Sequence, residues 1–185
     1  RLEVYKNFGY AEEVYTQILA HYADKLDKLV TYQALGHVRY PTEGRSLRED
    51  LQPTTASPVE GRVFALADNG NLVNYQQERE LMEGAGMRFG FSSNNEAELI
   101  LHAIIVHHYY ERIKKNGGEA DFIKSIEYAL KYFRGAFSTI LMTRNNIFAF
   151  VDRFGFRPLI LGETEDFWVL ASESCALDIL HIPPQ

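Results

Sequence analysis

Apolar positions recur along this chain in two rhythms, and the changes of rhythm mark its elements. Over residues 11–29, Val14, Ile18, Tyr22, Leu26 and Leu29 recur at three- and four-residue spacing, which predicts a helix with one apolar face. "TYQALGHVRY" reads as a strand running into a loop that starts at Pro41. Residues 45–61 are polar and contain Pro53 and Pro58, so a long loop is expected there, and long loops in compact domains commonly carry function. A strand at 62–67, a short helix near 76–84 and a short strand at 87–91 follow.

Two longer helices come next. In 95–115 the predicted buried stripe is Leu99, Ala103, Val106 and Tyr110, and Gly117-Gly118 stops it. Residues 119–133 repeat the pattern with Phe122, Ile126, Ala129 and Phe133. The tail turns to sheet: "AFSTILMT", a turn at Asn145-Asn146, "IFAFVD", a loop through Gly155 and Pro158, then "PLILG" and "FWVLAS". Two-residue turns join antiparallel strands, and the helices form a block between strand groups. The expected class is therefore α+β, with helices packed on antiparallel sheet, in a single domain over residues 1–185 with no internal linker.

Composition narrows the function classes. With 46% hydrophobic residues, 185 residues suffice for a real core, and a net charge of −6 argues against a nucleic-acid partner. The longest apolar run, "LILHAIIV", is broken by His102 and falls far short of the roughly 20 residues a membrane span needs. One cysteine, Cys175, excludes an internal disulfide and fits a reducing compartment, so a cytoplasmic location is expected. The chain opens at Arg1 in what reads as mid-strand, so a fragment whose start lies upstream is expected.

Several motif-like features carry no chemistry. "GAGMRFG" precedes a predicted strand instead of following one and lacks the dinucleotide spacing. His102, His107 and His108 stand at spacings of five and one, not the three or four that places two ligands on one helical face, so no metal is expected. Cys175 lies at the start of a predicted helix with no base placed beside it, and a packed structural cysteine is expected.

Three short stretches resist dismissal. In "GHVRYPTEG", Arg39 ends a strand and Thr42 follows in the loop; a fixed guanidinium with a nearby hydroxyl suits a carboxylate, although a surface Arg beside a turn reads the same way. In "ADNGN", Asn69-Gly70 is the strongest short hairpin-turn signal, yet it also offers a side-chain N–H and a bare backbone N–H, the makings of an oxyanion hole. In "NNEAE", Glu96 or Glu98 serves either as a first-turn charge on a helix or as an acceptor for an ammonium group. Together they describe a site for an amino acid undergoing acyl transfer.

These stretches, in this order, resemble the glutaminase domain of amidophosphoribosyltransferase, a class II glutamine amidotransferase with the N-terminal-nucleophile hydrolase fold. The resemblance extends through "QP" at 52–53, "RGAFS" at 134–138, "FGFRPLILG" at 154–162 and "ASESCALD" at 171–178, nearly the whole chain. It implies an αββα sandwich of two stacked antiparallel sheets. It further implies that Arg39 binds the α-carboxylate of glutamine with support from Thr42, that Asn69 and Gly70 form the oxyanion hole, and that Glu96 receives the α-ammonium. No cofactor is implied. The implied partners are glutamine and a phosphoribosyl transferase domain or subunit, in a homo-oligomer.

The sequence departs from that pattern in three places. The family's nucleophile is a cysteine at the mature N-terminus whose own amine serves as base; it and the first strands are absent here, and internal Cys175 cannot replace it. Asp68 stands where a His commonly precedes the Asn-Gly. A carboxylate within about 5 Å of the oxyanion would cost roughly 3 kcal/mol, on the order of a hundredfold in rate, unless strand alternation turns it away. Glu96 stands where an Asp is usual. Two alternatives therefore accompany the glutaminase reading: a degenerate, non-catalytic binding or scaffold domain, and the amidotransferase domain of a glutamate synthase-like enzyme.

Overall fold

The computed structural model describes residues 2–23, 32–39, 47–57, 63–85, 91–115 and 121–185. Its elements are α1 (Ala11–His21), a 3-10 turn at Arg48–Asp50, β1 (Thr54–Ala56), β2 (Phe64–Leu72), α2 (Tyr75–Gly84), α3 (Glu96–Lys114), α4 (Phe122–Leu130), β3 (Gly135–Met142), β4 (Ile147–Val151), β5 (Ile160–Glu163), β6 (Trp168–Ala171) and α5 (Ser174–Ile179). The class is α+β, as expected. One antiparallel sheet has the order β1-β2-β3-β4, and a second pairs β5 with β6.

The longest ladder joins β2 to β3, from Ala65↔Met142 to Leu72↔Gly135. Alternation sends Leu66, Asp68, Gly70 and Leu72 to one face of the sheet and Ala65, Ala67 and Asn69 to the other. Helices α3 and α4 cover the first face, where Leu66, Phe137 and Leu141 join Leu99, Ile100, Leu101, Ile104 and Ile126 in one buried cluster. Truncating a fully buried Leu of this kind costs about 2–5 kcal/mol. On the other face Ala65, Ala67 and Met142 are buried, while Ile147, Ala149 and Val151 of β4 are exposed, so burial there is confined to the β2–β3 side of the sheet. On the second sheet, Leu177 of α5 and Ile182 pack against Gly162 of β5, where a Cβ would meet the Ile182 Cγ2 at 2.8 Å.

Sequence periodicity located α2, α3, α4 and the β3–β4 hairpin. On α1, Val14, Ile18 and Tyr22 are the half-buried positions, as the spacing predicts, while its expected continuation over 24–29 lies outside the described residues. Five expectations need correction. Tyr110 of α3 is exposed, because the buried arc of that helix runs through Ala97, Leu101, Ile104, Ile105 and His108. Residues 32–39 form no regular strand, and the expected long loop contains β1 and the 3-10 turn. Cys175 is exposed, not packed. The Asn69-Gly70 turn does not exist: β2 runs straight through it to Leu72, because β3 pairs with every residue of that stretch. Of the strand expected at 87–91, only Phe91 is described, and it belongs to no element.

Candidate functional site

The site is built on the part of β2 that β1 leaves uncovered. Strand β1 pairs only with Phe64, Ala65 and Leu66. Beyond it the chain departs and Gln52 takes its place through a side chain. Gln52 Oε1 accepts the Asp68 N–H at 2.6 Å, and its Nε2 donates to the Asp68 carbonyl at 3.1 Å. His37 Nε2 donates to the same carbonyl at 3.2 Å, which fixes the tautomer because a carbonyl only accepts. Burial holds the His37 ring below its ordinary pKa, the hydrogen bond to the Asp68 carbonyl opposes this, and the Arg39 charge adds to the lowering.

In an antiparallel ladder the N–H groups of alternate residues leave on the same side of the strand. The Asp68 N–H points away from β3, toward Gln52. The Leu72 N–H points the same way and is accepted by Glu96 Oε1 at 2.9 Å. Gly70 lies midway, so its N–H emerges between two amides that are each capped by a side chain. Among the described residues no side chain caps it.

The glycine itself is required here. A Cβ on Gly70 would meet the Phe137 Cβ at 2.5 Å and the Ala136 carbonyl at 2.7 Å, so β3 approaches closer than any side chain allows. Asn69, in register with Ser138, lies on the opposite face from Asp68 and is half-buried. The Ser138 hydroxyl beside it is buried with no partner among the described residues.

Asp68 turns into the sheet. Its Oδ1 accepts from Thr139 Oγ1 at 2.6 Å, in register across the ladder. Burial pushes this carboxyl up to about 7; the Thr139 hydroxyl opposes the rise, the Glu96 charge adds to it, and the Arg157 charge opposes it.

Helix α3 supplies the other wall. Asn95 caps it, accepting from the Ala97 N–H at 2.9 Å, and also donates to the Asp50 carbonyl at 3.0 Å. Arg39 Nη1 donates to that same carbonyl at 3.2 Å, so Asp50 ties Arg39 to the start of α3. Glu96, the first residue of α3, turns toward β2; burial raises its carboxyl, while the Leu72 N–H and the Arg39 charge hold it down in part. Its Oε2 has no hydrogen-bond partner among the described residues.

The choice between Glu96 and Glu98 follows from geometry. Glu98 is buried and accepts four hydrogen bonds, from the N–H and hydroxyl of both Ser92 and Ser93, at 2.6–2.9 Å. Burial alone would raise its carboxyl, but the Ser93 and Ser92 donors hold it below the ordinary value. Glu98 is therefore spent on anchoring its own loop, and Glu96 is the carboxylate with capacity left.

The structure thus brings Arg39, Asn69, Gly70 and Glu96 to one edge. Thr42 lies outside the described residues. Gln52, Asp50, His37 and Ser138 also build the site, and sequence reading assigned none of them a role. The available signal for Gln52 was its place just before Pro53 at the start of a strand too short to pair the full length of its neighbour.

A glutamine amidotransferase domain model matches residues 39–178. Amidophosphoribosyltransferase 1 (chloroplastic) of Arabidopsis thaliana is 34% identical over 181 residues, covering 97% of this chain and 29% of that protein. The Bacillus subtilis amidophosphoribosyltransferase is 32% identical over 180 residues, covering 97% of this chain and 34% of that one. The chain therefore spans about a third of the length of these relatives. The solved glutamine phosphoribosylpyrophosphate amidotransferase from B. subtilis superposes with a TM-score of 0.65 at 32% identity, over 80% of this chain and 29% of that one. With a family model matched over residues 39–178, relatives of 32–34% identity along nearly the whole chain and a fold shared with a solved relative, this chain belongs to the glutamine amidotransferase domain family, and its α+β fold is of the N-terminal-nucleophile hydrolase type.

Proposed function

We propose that this chain is the glutaminase part of an amidophosphoribosyltransferase, holding glutamine along the open edge of β2 and releasing its side-chain amide as ammonia. The observation that carries the reading is the row of three amides on β2. Asp68 and Leu72 are capped by Gln52 and Glu96, and the Gly70 N–H between them is left for a ligand oxygen. When a thiolate attacks the amide carbon, the carbonyl oxygen gains a negative charge. The Gly70 N–H and the Asn69 side-chain amide are the donors for that charge. Both are preorganised by the β2–β3 ladder, which is what makes such donors effective.

Arg39 binds the substrate α-carboxylate with Thr42 in support, and Glu96 Oε2 receives the α-ammonium. Opposite charges 39 and 96 already sit within electrostatic reach, which suits a zwitterion laid between them. The attacking thiol, with the amine that serves as its base, comes from a residue other than Cys175, which lies exposed on α5. Ammonia passes to a phosphoribosyl transferase domain or subunit in this reading; support for that acceptor is the identity of the relatives.

The test is glutamate release from glutamine by the intact protein and its Asn69→Ala variant. We expect hydrolysis in the first, and a loss of roughly a hundredfold or more in kcat, with a smaller change in KM, in the second. An intact protein that does not hydrolyse glutamine would sink the proposal, and an unaffected variant would sink the oxyanion assignment.

A further inference from the structure

Away from the β2 edge, a cleft of about 720 Å³ opens between the last turn of α4 and the far end of the β3–β4 pair. Its apolar walls are Leu130, Phe133, Phe137, Val151 and Phe154. Three cations line it: Lys131, Arg134 and Arg153. None is ion-paired with a described residue, in a chain whose net charge is −6.

Two carboxylates also line the cleft, and one is already committed. Asp152 accepts from the backbone N–H of Phe137, Phe154 and Phe156 at 2.8–3.1 Å, and these bonds hold its carboxyl below the ordinary range despite burial. Its charge remains, so three cations face two carboxylates, Asp152 and Glu127, and the lining keeps a net positive charge.

Both walls are held rigid by polar clamps. Asn74 donates to the Tyr132 carbonyl at 2.8 Å and accepts the Arg134 N–H at 2.9 Å, while the Arg134 carbonyl accepts the Val73 N–H at 2.8 Å. The stretch carrying Lys131 and Arg134 is thereby fixed to the start of α2. The Asp152 bonds fix the turn carrying Arg153 and Phe154. Cations held by clamped backbone lose less freedom on binding a ligand than those on loose loops.

We propose that this cleft binds a small organic phosphate, its dianionic group held by Lys131, Arg134 and Arg153 and its apolar body lying against Phe154, Leu130 and Phe133. Two guanidinium forks and an ammonium match a phosphate, whose several oxygens accept from all three, better than they match a single carboxylate. The apolar walls favour a phosphate ester over the bare ion. The inference is independent of the glutaminase reading, because the cleft shares neither Asn69 nor Gly70.

Calorimetric titration of the intact protein with phenyl phosphate tests it, against an Arg134→Gln/Arg153→Gln double variant. Both side chains are exposed, so the variant keeps its fold, and an unchanged far-UV circular dichroism spectrum checks this. We expect saturable binding that weakens at high salt, is about tenfold tighter than for inorganic phosphate, and weakens about tenfold or more in the variant. Lys131→Gln alone should weaken it by a smaller factor. Absence of binding, or equal binding to wild type and double variant, would overturn the site. Equal affinity for inorganic phosphate would overturn the organic phosphate as its ligand.

Discussion

Asp68 and Asn69 are neighbours in sequence on opposite faces of one sheet: the Asp68 carboxylate meets Thr139 at 2.6 Å, and Asn69 stands in register with Ser138 on the other side. The acid in place of the family's usual histidine is therefore held by Thr139, on the face opposite the Asn69 side chain.

That placement gives Asp68 a measurable signature. Its carboxyl rises from an ordinary 3.8 to about 7, chiefly through burial. Between those values the folded chain holds a proton that the unfolded chain has lost. The stability contributed is full at low pH and is lost as pH rises toward 7. Asp68→Asn keeps an acceptor for Thr139 but does not titrate. Urea denaturation across pH 4 to 8 should show the wild type losing stability, by up to roughly 4 kcal/mol, relative to the Asn variant. Parallel profiles would mean that Asp68 is ionised throughout.

Arg39→Ala should raise the KM for glutamine severely, on the order of a hundredfold, because the α-carboxylate loses a charged partner, with little effect on thermal stability since Arg39 is exposed. Steady-state kinetics with unchanged KM would remove Arg39 from the site.

Glu96→Gln separates two duties of one side chain. The amide oxygen can still accept the Leu72 N–H, so the melting temperature should hold, while the lost charge should raise the KM for glutamine about tenfold. A variant that melts lower and keeps its KM would identify Glu96 as a structural cap only.

Gly70→Ala places a methyl group where the Phe137 Cβ would be 2.5 Å away. Strands β2 and β3 must then separate, at a cost of about 1–3 kcal/mol, and the donor N–H moves with them. Thermal denaturation should show the loss together with a fall in kcat. A variant of native stability and rate would show that the close approach is not needed.

Much of this molecule was legible in its sequence. The α3 and α4 periodicities and the Asn145-Asn146 hairpin are local patterns, and local patterns survive folding. Tyr110 was misplaced because a long apolar helix offers several arcs, and only the packed sheet selects one. Asn69-Gly70 misled for a different reason: its turn propensity is real, but eight consecutive register pairs with β3 outweigh it. The residues Arg39, Asn69, Gly70 and Glu96 were readable as chemistry. The residues that aim them were not, because Gln52 acts on the backbone of Asp68 and Asp50 acts through its own carbonyl on the side chains of Arg39 and Asn95, and a bond to backbone leaves no sequence pattern at the backbone partner.

The early end of β1 has a consequence for solubility as well as chemistry. An unpaired strand edge invites another chain to zip onto it, and proteins ordinarily blunt such edges. Here Gln52 and Glu96 occupy two of the three amides that an intruding strand would need, and each holds its place with a side chain that cannot extend into a ladder. A single amide is too little to recruit a strand and enough to hold one oxygen atom. The same two side chains that flank the Gly70 N–H also guard this stretch of β2 against pairing with another chain.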